Sequence, residues 1–201
     1  MSYLSQFVAS LRFLEEFNEE YKAGAPDEDT LRDVLSELES RHDDPLYNDV
    51  LAAIRSLSKG VLAKYRKEDV VNKCHAVSQS LWETCANIFP PEVRLNITVG
   101  NVFYKGNNLY NLTKDSLREI IKQGPAAVGS LDVHVWLTLE EMTVIDLSII
   151  PTLVHRGELP ESALADPILF WREGIESDFE FQPILVDNEF MHRVDRVRYT
   201  V

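Results

Sequence analysis

The sequence predicts an α+β fold in which a helical N-terminal region precedes a helix packed on an antiparallel sheet. Three observations lead there. Apolar residues recur at helical spacing through the first third, the period switches to two after Pro90-Pro91, and no strand–helix–strand alternation follows that would call for a parallel sheet. With 201 residues, 45% of them hydrophobic and 26% charged, the chain can bury a sizeable core.

Tyr3, Phe7, Leu11, Leu14 and Phe17 share one helical face, and Gly24-Ala25-Pro26 closes that segment. Asp27 and Asp29 are capping candidates for a second helix reaching residue 39, with Leu31, Val34, Leu35 and Leu38 as its apolar stripe. Asp43-Asp44-Pro45 punctuates, and a third helix is expected from about 46 to 64. These helices read as a packing or partner-docking region, residues 1–66, that carries no chemistry of its own. A fourth helix is expected from about 68 to 88, with Cys74 near its start. It stops before Pro90-Pro91, because proline disfavours helical backbone in the residue ahead of it.

Val93, Leu95, Ile97 and Val99 then alternate with Arg94, Asn96 and Thr98, the pattern of a half-buried strand ending at Gly100. A short strand at 102–104, an Asn- and Gly-rich loop to 111, a short helix at 115–123 and a connector at 124–130 follow. Next, Val133, Val135, Leu137 and Leu139 share one face of a strand, and His134, Trp136 and Thr138 share the other. Thr143, Ile145, Leu147 and Ile149 repeat the apolar alternation. Both apolar sets must face one core, so odd positions must pair with odd ones, as they do across a three-residue loop with Leu139 opposite Thr143. That register sets His134 and Trp136 beside Val144, Asp146 and Ser148. Strands are also expected at 179–181 and 184–186, and a last edge strand at 193–201.

The formal net charge of −13 disfavours a partner made of nucleic-acid phosphates. The first 22 residues carry Glu15, Glu16, Glu19 and Glu20 in place of a signal-peptide pattern, and no apolar run reaches the ~18 residues of a spanning helix. Cys74 and Cys85 are too far apart along one helix, roughly 16 Å at 1.5 Å per residue, to form a disulfide. A cytoplasmic protein without membrane contact is expected. No His/Cys cluster has metal-ligand spacing and no glycine-rich phosphate loop is present, so neither metal nor cofactor is expected.

The chemistry centres on Cys74. A thiolate is the reactive form of cysteine, and the N-terminal dipole of a helix stabilises it. A neighbouring imidazole takes the thiol proton, and a carboxylate fixes that imidazole's tautomer. The hairpin register supplies the second pair, His134 and Asp146. His75 adjoins Cys74 but projects about 100° away around the helix, which makes it a poor base.

A Cys near a helix start (Cys74-His75-Ala76-Val77), a strand ending at Val99-Gly100, His134-Val135-Trp136 on a strand and Ile145-Asp146-Leu147 after a tight turn form an ordered set. Over residues 68–150 this resembles the transglutaminase-like branch of papain-fold enzymes, which includes bacterial peptide-processing cysteine proteases. The resemblance implies a papain/transglutaminase-like α+β core over 67–201. It implies Cys74 as nucleophile, His134 as general base and then acid, Asp146 as orienting carboxylate, and a protein or peptide substrate. Asn72 and Trp136 are the candidates for substrate binding or the oxyanion site, since no Gln lies in the stretch just before Cys74 to serve as second donor.

Two functional classes therefore stand. One is a cysteine-dependent amide hydrolase or acyltransferase: a protease, deamidase or transamidase. The other is a catalytically inactive acidic protein that docks a protein partner. In the second, Cys74 is a small core residue on one helical face with Ser78, Leu81 and Cys85, and His134 and Asp146 are satisfied sheet and turn residues.

Overall fold

The structure, a computed structural model, describes residues 1–41, 43–124 and 133–194, apart from the Asn72 side chain. Helices α1 (Tyr3–Leu14), α2 (Glu19–Gly24), α3 (Glu28–Glu39) and α4 (Pro45–Leu62) come first. Then follow α5 (Lys67–Asn72), α6 (Cys74–Ile88), β1 (Leu95–Tyr104), β2 (Asn107–Asn108), α7 (Lys114–Gln123), β3 (His134–Leu139) and β4 (Val144–Asp146). The described chain closes with α8 (Ile149–His155), a 3-10 turn at Glu161–Ala165, β5 (Leu169–Trp171), β6 (Phe179–Val186) and α9 (Phe190–Val194).

The sheet is antiparallel throughout. Its order is β6–β1–β3–β4–β5, with β2 pairing the far end of β1 on the β3 side. It curls until its two edges touch: the Trp171 indole N–H on β5 donates to the Phe179 carbonyl on β6 at 2.8 Å, and the Trp171 and Phe181 rings lie 5.4 Å apart. Both faces are covered. On the outer face, α4 and α6 bury Ile54, Val77 and Leu81 against Ile97, Val135 and Leu137. On the inner face, α1 presses Tyr3, Phe7 and Val8 against Trp136, Trp171 and Phe181. The helices before residue 67 thus share both cores with the sheet. Among the described residues no helix is long and apolar enough to cross a membrane.

The α+β class is as expected, and so is the hairpin register. Leu137 pairs with Ile145 and Thr138 with Val144, and the Leu139 N–H donates to the Thr143 carbonyl at 2.9 Å. The connecting loop is residues 140–142, closed by Met142 in the left-handed region at φ 68°.

Several boundaries differ from the sequence reading. The first helix ends at Leu14, and α2 starts afresh behind an Asn18 cap that accepts from the Tyr21 N–H. The helix expected over 68–88 is broken at Lys73 (φ −132°, ψ 41°), so Cys74 opens α6. β1 runs straight through Gly100, joining the two expected strands. The absent side chain is what permits this: a Cβ there would stand 2.1 Å from the Gln182 carbonyl oxygen and 2.8 Å from the Trp136 ring. The strands expected at 179–181 and 184–186 are likewise one strand, with the register shift at Val99/Gly100 absorbing the irregularity. The strand expected to continue to Ile149 stops at Asp146, where the chain turns into α8. β5 was not expected, because three residues are too few to show a period. Of the connector at 124–130, residues 125–130 lie outside the described residues. Arg193 and Val194 belong to α9, and the rest of the edge strand expected at 193–201 lies outside the described residues.

Candidate active site

Cys74 owes its position to the Lys73 break. The Val77 N–H donates to the Lys73 carbonyl, so the first amides of α6, Cys74's among them, have no intrahelical acceptor and concentrate positive potential at the thiol. Two hydrogen bonds dock α6 on β3: the Cys74 thiol to the Val133 carbonyl at 3.5 Å, and the Ser78 hydroxyl to the Val135 carbonyl at 3.1 Å. Four residues of helix rise ~6 Å and two residues of strand ~6.6 Å, so the contacts repeat in step along the two elements. One helical face therefore carries Ser78, Leu81 and Cys85 into the core and ends at half-buried Cys74 beside the hairpin.

The second pair comes from the hairpin. His134 and Asp146 are both 0% exposed, and His134 Nε2 lies 2.5 Å from Asp146 Oδ2. The other carboxylate oxygen, Oδ1, accepts from the Ser148 N–H at 2.9 Å, the Ile149 N–H at 3.0 Å and the Ser148 hydroxyl at 3.2 Å. Those bonds end β4 and begin α8, so one carboxylate both turns the chain and holds the imidazole. With Nε2–H given to Asp146, Nδ1 is the nitrogen left to exchange a proton, and it is buried without an aligned hydrogen-bond partner.

Cys74 and His134 nonetheless act on each other. Burial pushes the Cys74 thiol up, but contacts with His134 and then His75, with their charges, outweigh it and bring the thiol down from 9.0 to about 6. Burial likewise works against His134 charging. The Asp146 charge prevails, helped by Tyr110, the Asp146 hydrogen bond and Cys74, and the imidazole is raised well above its usual range. The thiol's long bond to the Val133 carbonyl and its coupling to His134 point to different proton partners. The coupling dominates, because a 3.5 Å contact from sulfur is weak and a rotation about the C–S bond redirects the proton. Both shifts favour a thiolate–imidazolium pair at neutral pH. By contrast Cys85 is 1% exposed, and burial alone raises its thiol to about 12. His75 reaches Cys74 despite the helical angle that set it aside in the sequence.

Trp136 packs behind the imidazole, ring centroids 5.9 Å apart, and is fully buried. Its indole N–H donates to the Tyr3 hydroxyl at 3.0 Å, which in turn meets Thr138 Oγ1 at 2.8 Å, and Thr138 meets Thr98 Oγ1 at 2.8 Å. The Asn72 side chain, the other residue read as an oxyanion or substrate contact, lies outside the described residues.

One site residue was missed from the sequence. The Tyr110 ring stacks on His134 at 4.7 Å and 25°. It is carried by a loop that Asn108 and Asn101 shape. Asn108 Oδ1 accepts from the Tyr110 and Asn111 N–H groups, while Asn101 accepts from the Leu112 N–H at 2.7 Å and donates to the Leu112 carbonyl at 3.0 Å. Asn101 follows Gly100, the residue paired with His134 across β1 and β3. An aromatic among the asparagines of 107–111 was the only visible signal.

The chain matches no family model, no curated protein and no solved structure. The transglutaminase-like reading therefore rests on this chain's own residues.

Proposed function

We propose that the protein is a cysteine-dependent amide hydrolase or acyltransferase acting on protein or peptide substrates. The observation that carries this reading is the buried His134–Asp146 pair beside a Cys74 thiol lowered to about 6 at the start of a 15-residue helix. A Cys-bearing helix docked on the His-bearing strand of an antiparallel sheet also fits a papain- or transglutaminase-like core.

In this reading the Cys74 thiolate attacks the amide carbonyl carbon, and the carbonyl oxygen takes up negative charge. The Cys74 N–H, unspent in the first turn of α6, is one donor for that oxyanion. Collapse breaks the C–N bond, the His134 Nδ1 proton passes to the leaving nitrogen, and a thioester remains on Cys74. Water or an amine, losing its proton to His134, then attacks the thioester and restores the thiolate. Asp146 keeps the imidazole in the tautomer and plane both steps need. Peptide hydrolysis, side-chain deamidation and transamidation differ only in which amide enters and which nucleophile leaves with the acyl group.

A second reading is a non-catalytic protein that docks a partner. Closure of the site favours it, since His134, Trp136 and Asp146 all have 0% exposure. The test is a peptide library followed by three readouts: new α-amines, released ammonia, and hydroxamate formed with hydroxylamine. The enzyme reading expects one of them to depend on Cys74 and vanish in Cys74→Ala. If none differs between wild type and Cys74→Ala, the non-catalytic reading stands.

A further inference from the structure

Arg156, on the turn that ends α8, stands apart from the other arginines. Every other arginine among the described residues is ion-paired, except Arg94, which donates to the Pro91 carbonyl. Arg156 is exposed and has neither an ion pair nor a side-chain hydrogen bond among the described residues, even with Glu158 two residues along. Its guanidinium lies over the face of Tyr110, with Cζ 5.7 Å from the ring centroid. Tyr110 in turn stacks on His134 at 4.7 Å. Tyr110 thus touches both an exposed guanidinium and the imidazole of the candidate active site.

A guanidinium resting on a ring keeps its N–H edges free, and those edges form a planar fork matched to a carboxylate. Tyr110 is half-buried; its hydroxyl is also without a hydrogen bond among the described residues and supplies a further donor near the guanidinium. In a chain of net charge −13, an unpaired cation two layers from a reactive thiol is an unusual use of charge unless it meets an anion. Amide substrates of peptide origin carry such an anion in their carboxylates.

We propose that Arg156, with the Tyr110 hydroxyl, is a carboxylate-binding subsite, and that the substrates are peptides bearing a free carboxylate two or three residues beyond the amide attacked by Cys74. The spacing follows from the two contacts. Only the Tyr110 ring stands between guanidinium and imidazole, 5.7 Å from one and 4.7 Å from the other, a reach that two or three extended residues cover at ~3.3–3.6 Å each. This inference rests on the acyl-transfer reading above.

N-iodoacetyl-glycylglycine and its C-terminal carboxamide test it on the full chain, with free cysteine as the reference thiol. A second pair carries the carboxylate on the side chain: N-iodoacetyl-glutamate α-amide and its glutamine twin. In each reaction the Cys74 thiolate forms the S–C bond and iodide leaves. The expected result is alkylation by the terminal acid roughly tenfold faster than by its amide, relative to free cysteine, the scale of a hydrogen bond to a charged group. The ratio falls to about one in Arg156→Gln and is partly restored in Arg156→Lys, which keeps the charge without the fork. A preference confined to the glutamate probe overturns the two- or three-residue spacing and assigns the subsite to an acidic side chain. Equal rates for acid and amide, or a preference that survives Arg156→Gln, overturn the subsite while the acyl-transfer reading stands. If neither member of a pair alkylates Cys74, the reactive-thiol reading falls and the subsite falls with it.

Discussion

Asp146 holds His134 by one carboxylate oxygen and the start of α8 by the other. Oδ2 lies 2.5 Å from His134 Nε2, while Oδ1 gathers the amides of Ser148 and Ile149. A single buried carboxylate therefore couples the imidazole's orientation to the local fold, and the two roles are separable by substitution.

Asp146→Asn keeps the shape but removes the charge that raises His134 most among the charged groups around it. The imidazole loses its preference for the charged form, and the thiolate loses its cationic partner. The midpoint of Cys74 alkylation against pH is expected to move upward by about 1 unit. Asp146→Ala also strips the amides at the start of α8 of their acceptor and leaves His134 buried alone. It is expected to cost about 3 kcal/mol in urea unfolding, against less for Asn.

The inner face has its own buried polar chain. The Tyr3 hydroxyl bridges the Trp136 indole and Thr138, which is how α1 is registered on the sheet. Tyr3→Phe leaves the indole N–H without an acceptor in an apolar core. A loss of roughly 1–3 kcal/mol is expected by urea unfolding, with little change in far-UV circular dichroism.

Gly100 tests the crowding between β1, β6 and the Trp136 ring. In Gly100→Ala the added carbon would overlap the Gln182 carbonyl, which is backbone and cannot swing aside. Destabilisation of about 2–3 kcal/mol is expected. Because Gly100 pairs with His134, Cys74 alkylation should slow as well.

The sequence made the hairpin legible and the helix ends much less so. The register followed from alternation alone: two apolar sets bound for one core leave only odd-to-odd pairing, and Leu139 opposite Thr143 is what the strands adopt. The Lys73 break was not legible, since neither glycine nor proline marks it and Lys73 is an ordinary helix former. The halt of β4 at Asp146 was hidden for a different reason. Leu147 and Ile149 continue the period-two pattern, yet their burial is met by a turn and by α8, so pattern and conformation part there. Tyr110 and Arg156 lay outside any periodic element. The place of Tyr110 beside His134 depends on side-chain hydrogen bonds from Asn101 and Asn108 that no spacing rule reports, and Arg156 meets that ring from the end of α8.

Cys74 is where the account is most exposed to test. The rate of its alkylation by iodoacetamide, followed from pH 4 to 10 with intact-mass readout, reports the thiolate directly. Cys85 provides the internal control, because burial raises it to about 12 and it should label only after unfolding. The predicted result is a rate that climbs through a midpoint near pH 6, the value to which His134 and His75 hold the thiol against burial. In His134→Ala the midpoint should rise and the rate at pH 7 fall by about tenfold or more. A Cys74 that resists alkylation until the protein unfolds, or that titrates as an ordinary thiol and is indifferent to His134→Ala, would contradict it.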